Sequence, residues 1–301
     1  MKEVVSVSLG SSRRDHHVEL DILGKRFKVS RIGTDGDMKR AKELLESLDG
    51  KVAAIGLGGI DLYLYAGNKR YAVRDARKLV AGVKTTPVVD GGGLKNTLER
   101  QVIRDLQNEK ETRLTGKKVL MVSAVDRFGM AEALCDVGAQ MTFGDLVFGL
   151  GIPIVIHSFK VFKFVARMVL PVAVRLPFEV LYPTGSKQEE KPKEKFAHHY
   201  HDADIIAGDY LFVRKFMPDD MRGKMIITNT VTTGDIEDLR RRGVRLLVTT
   251  TPELEGRCFG TNVMEALFVA ILDKPLDQIT EEDYVDLMSK IGFPCHMRKL
   301  N

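Results

Sequence analysis

In VVDGGGLKNTLE, residues 88–99, three glycines lead from an apolar pair into a lysine, an asparagine and a threonine. Glycines ahead of a helix leave backbone N–H groups open to an anion and let the chain approach it closely. Lys95 and Asn96 then fall in the first helical turn, facing whatever sits there. A lysine so placed can pass on a proton or hold an oxyanion, provided burial or a charged neighbour tunes it. Asp61 follows a second glycine-ended apolar run, GLGGID, and is assigned with Lys95 to the chemistry. Asn96, Thr97 and Asp90 are the expected substrate contacts. The alternative is a helix cap plus a loop needing positive φ, a need that fewer glycines would meet.

A second stretch, VSAVDRFGMAEALCDVGAQMTFGD (residues 122–145), reads as strand, loop, helix, strand and acid. That is the layout of a dinucleotide-binding unit. Ser123, Asp126, Arg127 and Gly129 would lie under the phosphates at the helix N-terminus, and Asp145 would accept from a ribose diol. A carboxylate there repels a 2′-phosphate, which favours NAD over NADP. The loop holds one glycine where the usual fingerprint holds three, so Arg127 would have to pair with phosphate directly. Without a nucleotide, Asp126 is a helix cap and Asp145 the end of a strand. Asn229, Thr230 and Thr250 follow later strands and complete the expected cofactor contacts. Ligands of open parallel sheets sit beyond the carboxyl ends of the strands.

Other polar clusters carry less. His198, His199 and His201 match no strong zinc spacing, so no metal site is assigned. His201 could serve as a proton donor from a loop, and His16 could react if Asp15 orients it. No P-loop or HExxH motif is present.

These residues need a frame. Strand-like runs alternate with helical ones through both halves of the 301-residue chain, so the expected class is α/β. Two domains are expected, 1–112 of substrate type and 113–301 Rossmann-like, each a mostly parallel sheet with flanking helices. Residues 110–118, polar and charged, mark the boundary, and no internal sequence repeat is evident. IPIVI (152–156) reads as a strand, DLYLYAGNKRYAVR as a hairpin about Gly67-Asn68, and 182–201 as a charged loop.

Composition bounds the partners. With 44% hydrophobic and 29% charged residues the chain is globular, and 46 basic against 41 acidic residues leave a net +5. No basic stretch interleaves with aromatics, which argues against nucleic acid. The segment 159–181 is apolar but broken by Lys160, Lys163, Arg167, Arg175 and Pro171, too charged for a span. A packed helix with its basic residues outward is expected there, and no membrane. Three scattered cysteines, Cys135, Cys258 and Cys295, fit a reducing compartment, hence a cytoplasmic protein. A small-molecule substrate is the expected partner, and a homodimer stays open.

SVSLGSS, GLGGIDLY, SAVDRFGMAEAL and TTTPELEGR together resemble bacterial proteins labelled quinate 5-dehydrogenase. More loosely, the layout is similar to the shikimate/quinate dehydrogenase family. GLKNTL, Gly93 to Leu98, matches that family's Gly-x-x-Asn-Thr-Asp motif through Asn96 and Thr97, with Leu98 at the aspartate. The resemblance implies an NAD-dependent oxidoreductase acting on a small hydroxylated anion, with Asn96 touching substrate. The alternatives are a non-redox nucleotide- or phosphometabolite-binding protein and a transferase or lyase using the same cleft.

Overall fold

A computed structural model describes residues 1–67, 69–181, 196–251, 253–254, 257–292 and 296–301. The first half runs β1 (Lys2–Ser8), β2 (His16–Ile22), β3 (Lys25–Gly33), α1 (Met38–Leu48), β4 (Ala54–Gly58), β5 (Tyr63–Ala66), β6 (Lys69–Ala72), α2 (Arg74–Val80), β7 (Val88–Val89) and α3 (Gly92–Asn108). The second runs β8 (Lys118–Met121), α4 (Phe128–Asp136), β9 (Gln140–Phe143), α5 (Phe159–Ala173), α6 (Phe178–Leu181), α7 (Ala197–Asp202), β10 (Ile205–Ala207), α8 (Tyr210–Phe216), β11 (Met225–Thr228), α9 (Thr233–Arg241) and β12 (Leu246–Thr249). The short β13 (Glu253–Leu254) and β14 (Arg257–Cys258) precede α10 (Thr261–Leu272), α11 (Glu281–Ile291) and β15 (His296–Lys299).

The chain is a mixed α/β fold with two principal sheets, of five and six strands, ordered β2-β3-β1-β4-β7 and β15-β12-β11-β10-β8-β9. Pairing is parallel except at the edges β2 and β15. Setting those edges aside, both sheets begin second-first-third-fourth in chain order. Doubly wound sheets with that order switch direction between their first and third strands, and the ligand crevice opens there. The switch points are β1/β4 in one sheet and β8/β10 in the other. The two halves therefore repeat in topology, although their sequences show no repeat.

Local sequence explains the elements. The central strands VVSVS and AIGLG are buried on both faces, as parallel strands under helices must be. Helices α9 and α11 open with capping boxes, Thr232 with Asp235 and Thr280 with Asp283. The β5/β6 hairpin forms at the expected place, with Asn68 outside the described residues.

Several expectations change. HHVELDI, to which no element was assigned, is the edge strand β2, its apolar Val18, Leu20 and Ile22 packed on the core. IPIVI contributes only a bridge from Ile156 to Phe143, because a turn at Asp145–Gly149 swings the chain off the sheet edge. The HHYH run lies on helix α7, not in a loop, while residues 182–195 and Cys295 lie outside the described residues. After α10 and α11 the short strand β15 returns to pair with β12 at the edge of the second sheet. Helix α5 does turn basic residues outward, but Phe164 and Met168 are also exposed. Among the described residues no helix is long and apolar enough to cross a membrane.

Two glycines fix how the halves meet. Helix α10 follows the second sheet in sequence but packs on β4 of the first, where a Cβ on Gly56 would lie 2.7 Å from the Asn262 carbonyl oxygen. Gly129 sits where α4 crosses α3. A Cβ there would come within 2.6 Å of Asn96 Oδ1 and 3.0 Å of its Cα. Gly129→Ala must therefore push the two helices apart, and denaturant unfolding should show a loss of about 1–3 kcal/mol. An unchanged midpoint would mean that the crossing is looser than described.

Candidate active site between the two sheets

The carboxyl ends of both sheets face a cavity of about 480 Å³. Asp61 reaches it from the turn after β4, Lys95 from the first turn of α3, and Asp126 from the loop after β8. Lys95 Nζ donates to Asp61 Oδ1 and to Asp126 Oδ1, each at 2.7 Å. One carboxylate comes from each half, so the ammonium joins the two sheets through charge.

The electrostatics follow from burial. Burial works against the Lys95 ammonium, but Asp126 and Asp61 more than offset it and hold its pKa well above the ordinary lysine value. Asp61 is pushed up to about 7, first by burial and then by Asp126 beside it. Asp126 is held below its usual value; burial opposes this, and Lys95 and then Arg127 overcome it. One acid of the pair thus exchanges a proton near neutrality while its neighbour stays charged, the usual division between an acid and a base.

A second charged group backs the first. Arg127 is 1% exposed and Glu99, on α3, is 0% exposed, and the two form a close ion pair. Arg127 also donates to Asp209 Oδ2 at 3.1 Å, and Asp209 caps α8 and accepts from Asn229 Nδ2 at 2.7 Å. Burial raises the Glu99 carboxyl, against the pull of Arg127.

The two anion cradles expected from the sequence are filled by the protein's own carboxylates. Gly91 and Gly93 press against α10 and α11: a Cβ on Gly91 would meet Asn262 N at 2.8 Å, and one on Gly93 would meet Glu265 Oε1 at 2.5 Å. Gly93 N–H donates to Glu265 at 3.1 Å, so the start of α3 carries an internal acid. In the loop after β8, Ala124 N–H and Val125 N–H donate to Asp145 Oδ1 at 2.8 and 2.9 Å. Both carboxyls are pushed up to about 7, chiefly by burial.

Placement of the expected residues divides accordingly. Lys95, Asp61, Asp90, Asp126, Arg127, Asn229 and Thr230 line the cavity. Asp90 also ties the β5 approach to α3, accepting from Leu62, Tyr63 and Gly92 N–H groups. Arg127 is not available to a phosphate as expected, because Glu99 and Asp209 hold its guanidinium out of solvent. Gly129 belongs to a helix crossing, and Asn96 packs against it. Asp145 is turned onto the loop after β8 rather than toward a ribose. Thr97 Oγ1 donates to the Gly93 carbonyl at 3.1 Å, and Thr250, directly after β12, is buried. Ser123 lines a separate pocket. The acid that Leu98 cannot supply to Lys95 comes from Asp61 and Asp126, while Leu98 itself is core. Asp15 binds Arg31 and the Gly33 N–H, not His16, whose Nδ1 lies 2.8 Å from the Arg14 carbonyl oxygen. Helix α7, with its histidines, does not line the cavity.

Sequence reading missed Glu99, Arg31, His296 and Arg298. The last three line the cavity with Arg13, Arg14 and His16, so its wall is rich in cationic and imidazole groups. The alternation in HMRK was the signal for β15, whose residues 296 and 298 point to one face.

Glu265 makes a pH prediction. Its folded pKa lies above the ordinary value of 4.5. The folded state therefore binds this proton more tightly than the unfolded chain. The resulting stability is present below about pH 4.5 and is lost as pH rises to about 7. Glu265→Gln should flatten that fall by on the order of a few kcal/mol, read from denaturant midpoints across the range. A variant as pH-sensitive as the parent would contradict the assignment.

Comparisons with known proteins place the chain. No curated protein matches it. Among solved structures it is similar to a sugar ABC transport system substrate-binding protein from Bordetella parapertussis 12822, at 11% identity over 99% of this chain and 89% of that one, with a TM-score of 0.39. It is also similar to a dipicolinate synthase from Bacillus halodurans, at 13% identity over 91% of this chain and 98% of that one, with a TM-score of 0.28. Residues 3–90 match a family described as a domain of unknown function (DUF8753). Residues 93–300, from the start of α3 through β15, match a second such family, and the chain belongs to that domain of unknown function, DUF8754.

Proposed function

We propose that this protein binds a small hydroxylated anion between its two sheets and moves a proton at one of the ligand's hydroxyl groups. The observation that carries the reading is Lys95, held at 2.7 Å from two carboxylates of opposite halves on the wall of the cavity. A buried, charged lysine beside an acid that titrates near neutrality is the arrangement general acid–base chemistry requires. The cavity's size suits a metabolite, and Arg13, Arg14, Arg31 and Arg298 on its wall suit a carboxylate or phosphate.

The redox version of this reading needs NAD in the same cavity. The residues expected to grip it, Arg127, Gly129 and Asp145, are engaged elsewhere, so the geometry favours non-redox binding or proton transfer. Calorimetric titration with ribose 5-phosphate, glycerol 3-phosphate, quinate and shikimate tests the proposal, each with and without NAD or NADP. Saturable binding of at least one anion is expected, weakened at least about tenfold in Arg31→Gln, since losing one charge-assisted contact costs about that much. No binding across the panel would overturn it. Reduced-nicotinamide absorbance appearing with any of the four would restore the oxidoreductase reading.

A further inference from the structure

A second pocket, of about 110 Å³, opens beside the first and shares Asp61, Asp126 and Phe212 with it. Its chemistry is the opposite. The inner face of α5 supplies Phe162, Val165 and Leu170, while Leu64 comes from β5 and Val122 and Val125 from the chain after β8. Such a pocket lies against an otherwise close-packed core, and the side chains facing it forgo the dispersion contacts that packing would give. Besides the two shared acids, Ser123 and Asp145 interrupt the apolar lining. Asp145 is among the lining residues, and its Oδ2 is buried and has no hydrogen-bond partner, while Oδ1 is taken by the loop amides. A buried acceptor left in this state calls for a donor.

We infer that this pocket is a subsite for a compact apolar group carried by the ligand, a ring or branched hydrocarbon of roughly four to six carbons, with a donor at its far end meeting Asp145. The inference rests on the reading that the hydroxylated part of the same ligand sits at Lys95. The pockets meet at Asp61 and Asp126, which both flank that lysine. The ligand class is then a hydroxylated ring or branched compound with an apolar face, rather than an open-chain polyol, for which an apolar pocket offers nothing.

The test uses 4-hydroxybenzyl alcohol as the probe and glycerol as its apolar-free counterpart, on the full chain with labelled Val, Leu and Ile methyl groups. The expected result is saturable shifts at Val122, Val165 and Leu170 with the aromatic alcohol and none with glycerol. Val169→Phe, on the half-buried side of α5, should weaken that binding at least about tenfold by filling the space. Ser123→Leu, from a different element, should do the same, so a folding defect in one variant does not remove the test. Shifts confined to other regions, or affinity unchanged in both variants, would overturn the subsite. Anion titration of the main cavity is scored separately: its failure sinks the Lys95 reading, whereas a silent aromatic probe beside a bound anion sinks only this one.

Discussion

Replacing Lys95 with methionine is expected to destabilise the fold by about 3–5 kcal/mol, because it strands two buried carboxylates that share one counter-charge. The melting temperature should fall by on the order of 10 °C. The pH dependence separates this cause from lost packing. In the variant both acids lack the ammonium, so Asp61, already raised in the parent, rises further, and Asp126 loses the main influence that held it below its usual value. Acids raised in this way favour folding at low pH, and the advantage is lost as pH climbs through the folded pKa. The gap between variant and parent should therefore be small near pH 5 and full near pH 8. A gap of equal size at both would mean that the carboxylates are solvated and the lysine is only a spacer.

Arg127→Met is expected to cost as much, for a related reason. Glu99 is fully buried and Arg127 is its close partner, so the truncation leaves a charge in the core. Surface pairs elsewhere offer a contrast: Arg26 with Glu19, both more than half exposed, should be worth under about 1 kcal/mol. The double variant Arg127→Met/Glu99→Leu should recover much of the loss, since an apolar pair of similar volume is often as stable as a buried ion pair. Unfolding free energies for the two single variants and the double complete the cycle. If the double were no better than Arg127→Met alone, the damage would come from Asp209 and the α8 cap instead.

The class of fold was legible because strand and helix periodicities are written locally. The short apolar-rich run VVSVS and the apolar spacing in TNVMEALFVAIL depend on near neighbours only. Lys95 and Asp61 were legible for a related reason: both follow a strand and a glycine-bearing turn, where sheet topology puts ligands. What could not be read is pairing across the chain. The triple glycine looked like an anion cradle because the sequence cannot show that Glu265, 172 positions away, already sits on Gly93. Asp145 looked like a ribose acceptor because its turn back onto Ala124 and Val125 depends on the chain's path after β9. Arg127 advertised a phosphate, yet its acids come from α3 and the β10 loop. For the glycines and Arg127 the residue type was right for an anion contact, and the anion proved to be the protein's own; for Asp145 it was right for an acceptor, and the donors proved to be backbone amides. β2 and β15 were missed because edge strands are polar on one face and easily taken for loops.

The central claim is that the lysine and its two acids form a ligand-binding acid–base centre and not merely a clasp between the halves. Calorimetric titration of the parent and of Asp61→Asn/Lys95→Met with whichever of the four anions binds the parent most tightly separates the two. The double substitution removes one charge of each sign and leaves Asp126 beside Arg127, 3.7 Å away, so the fold should persist. The account predicts saturable binding by the parent and at least about a hundredfold weaker binding by the folded double variant, as expected when a charged and a neutral contact are lost together. Equal affinity in both proteins would contradict it.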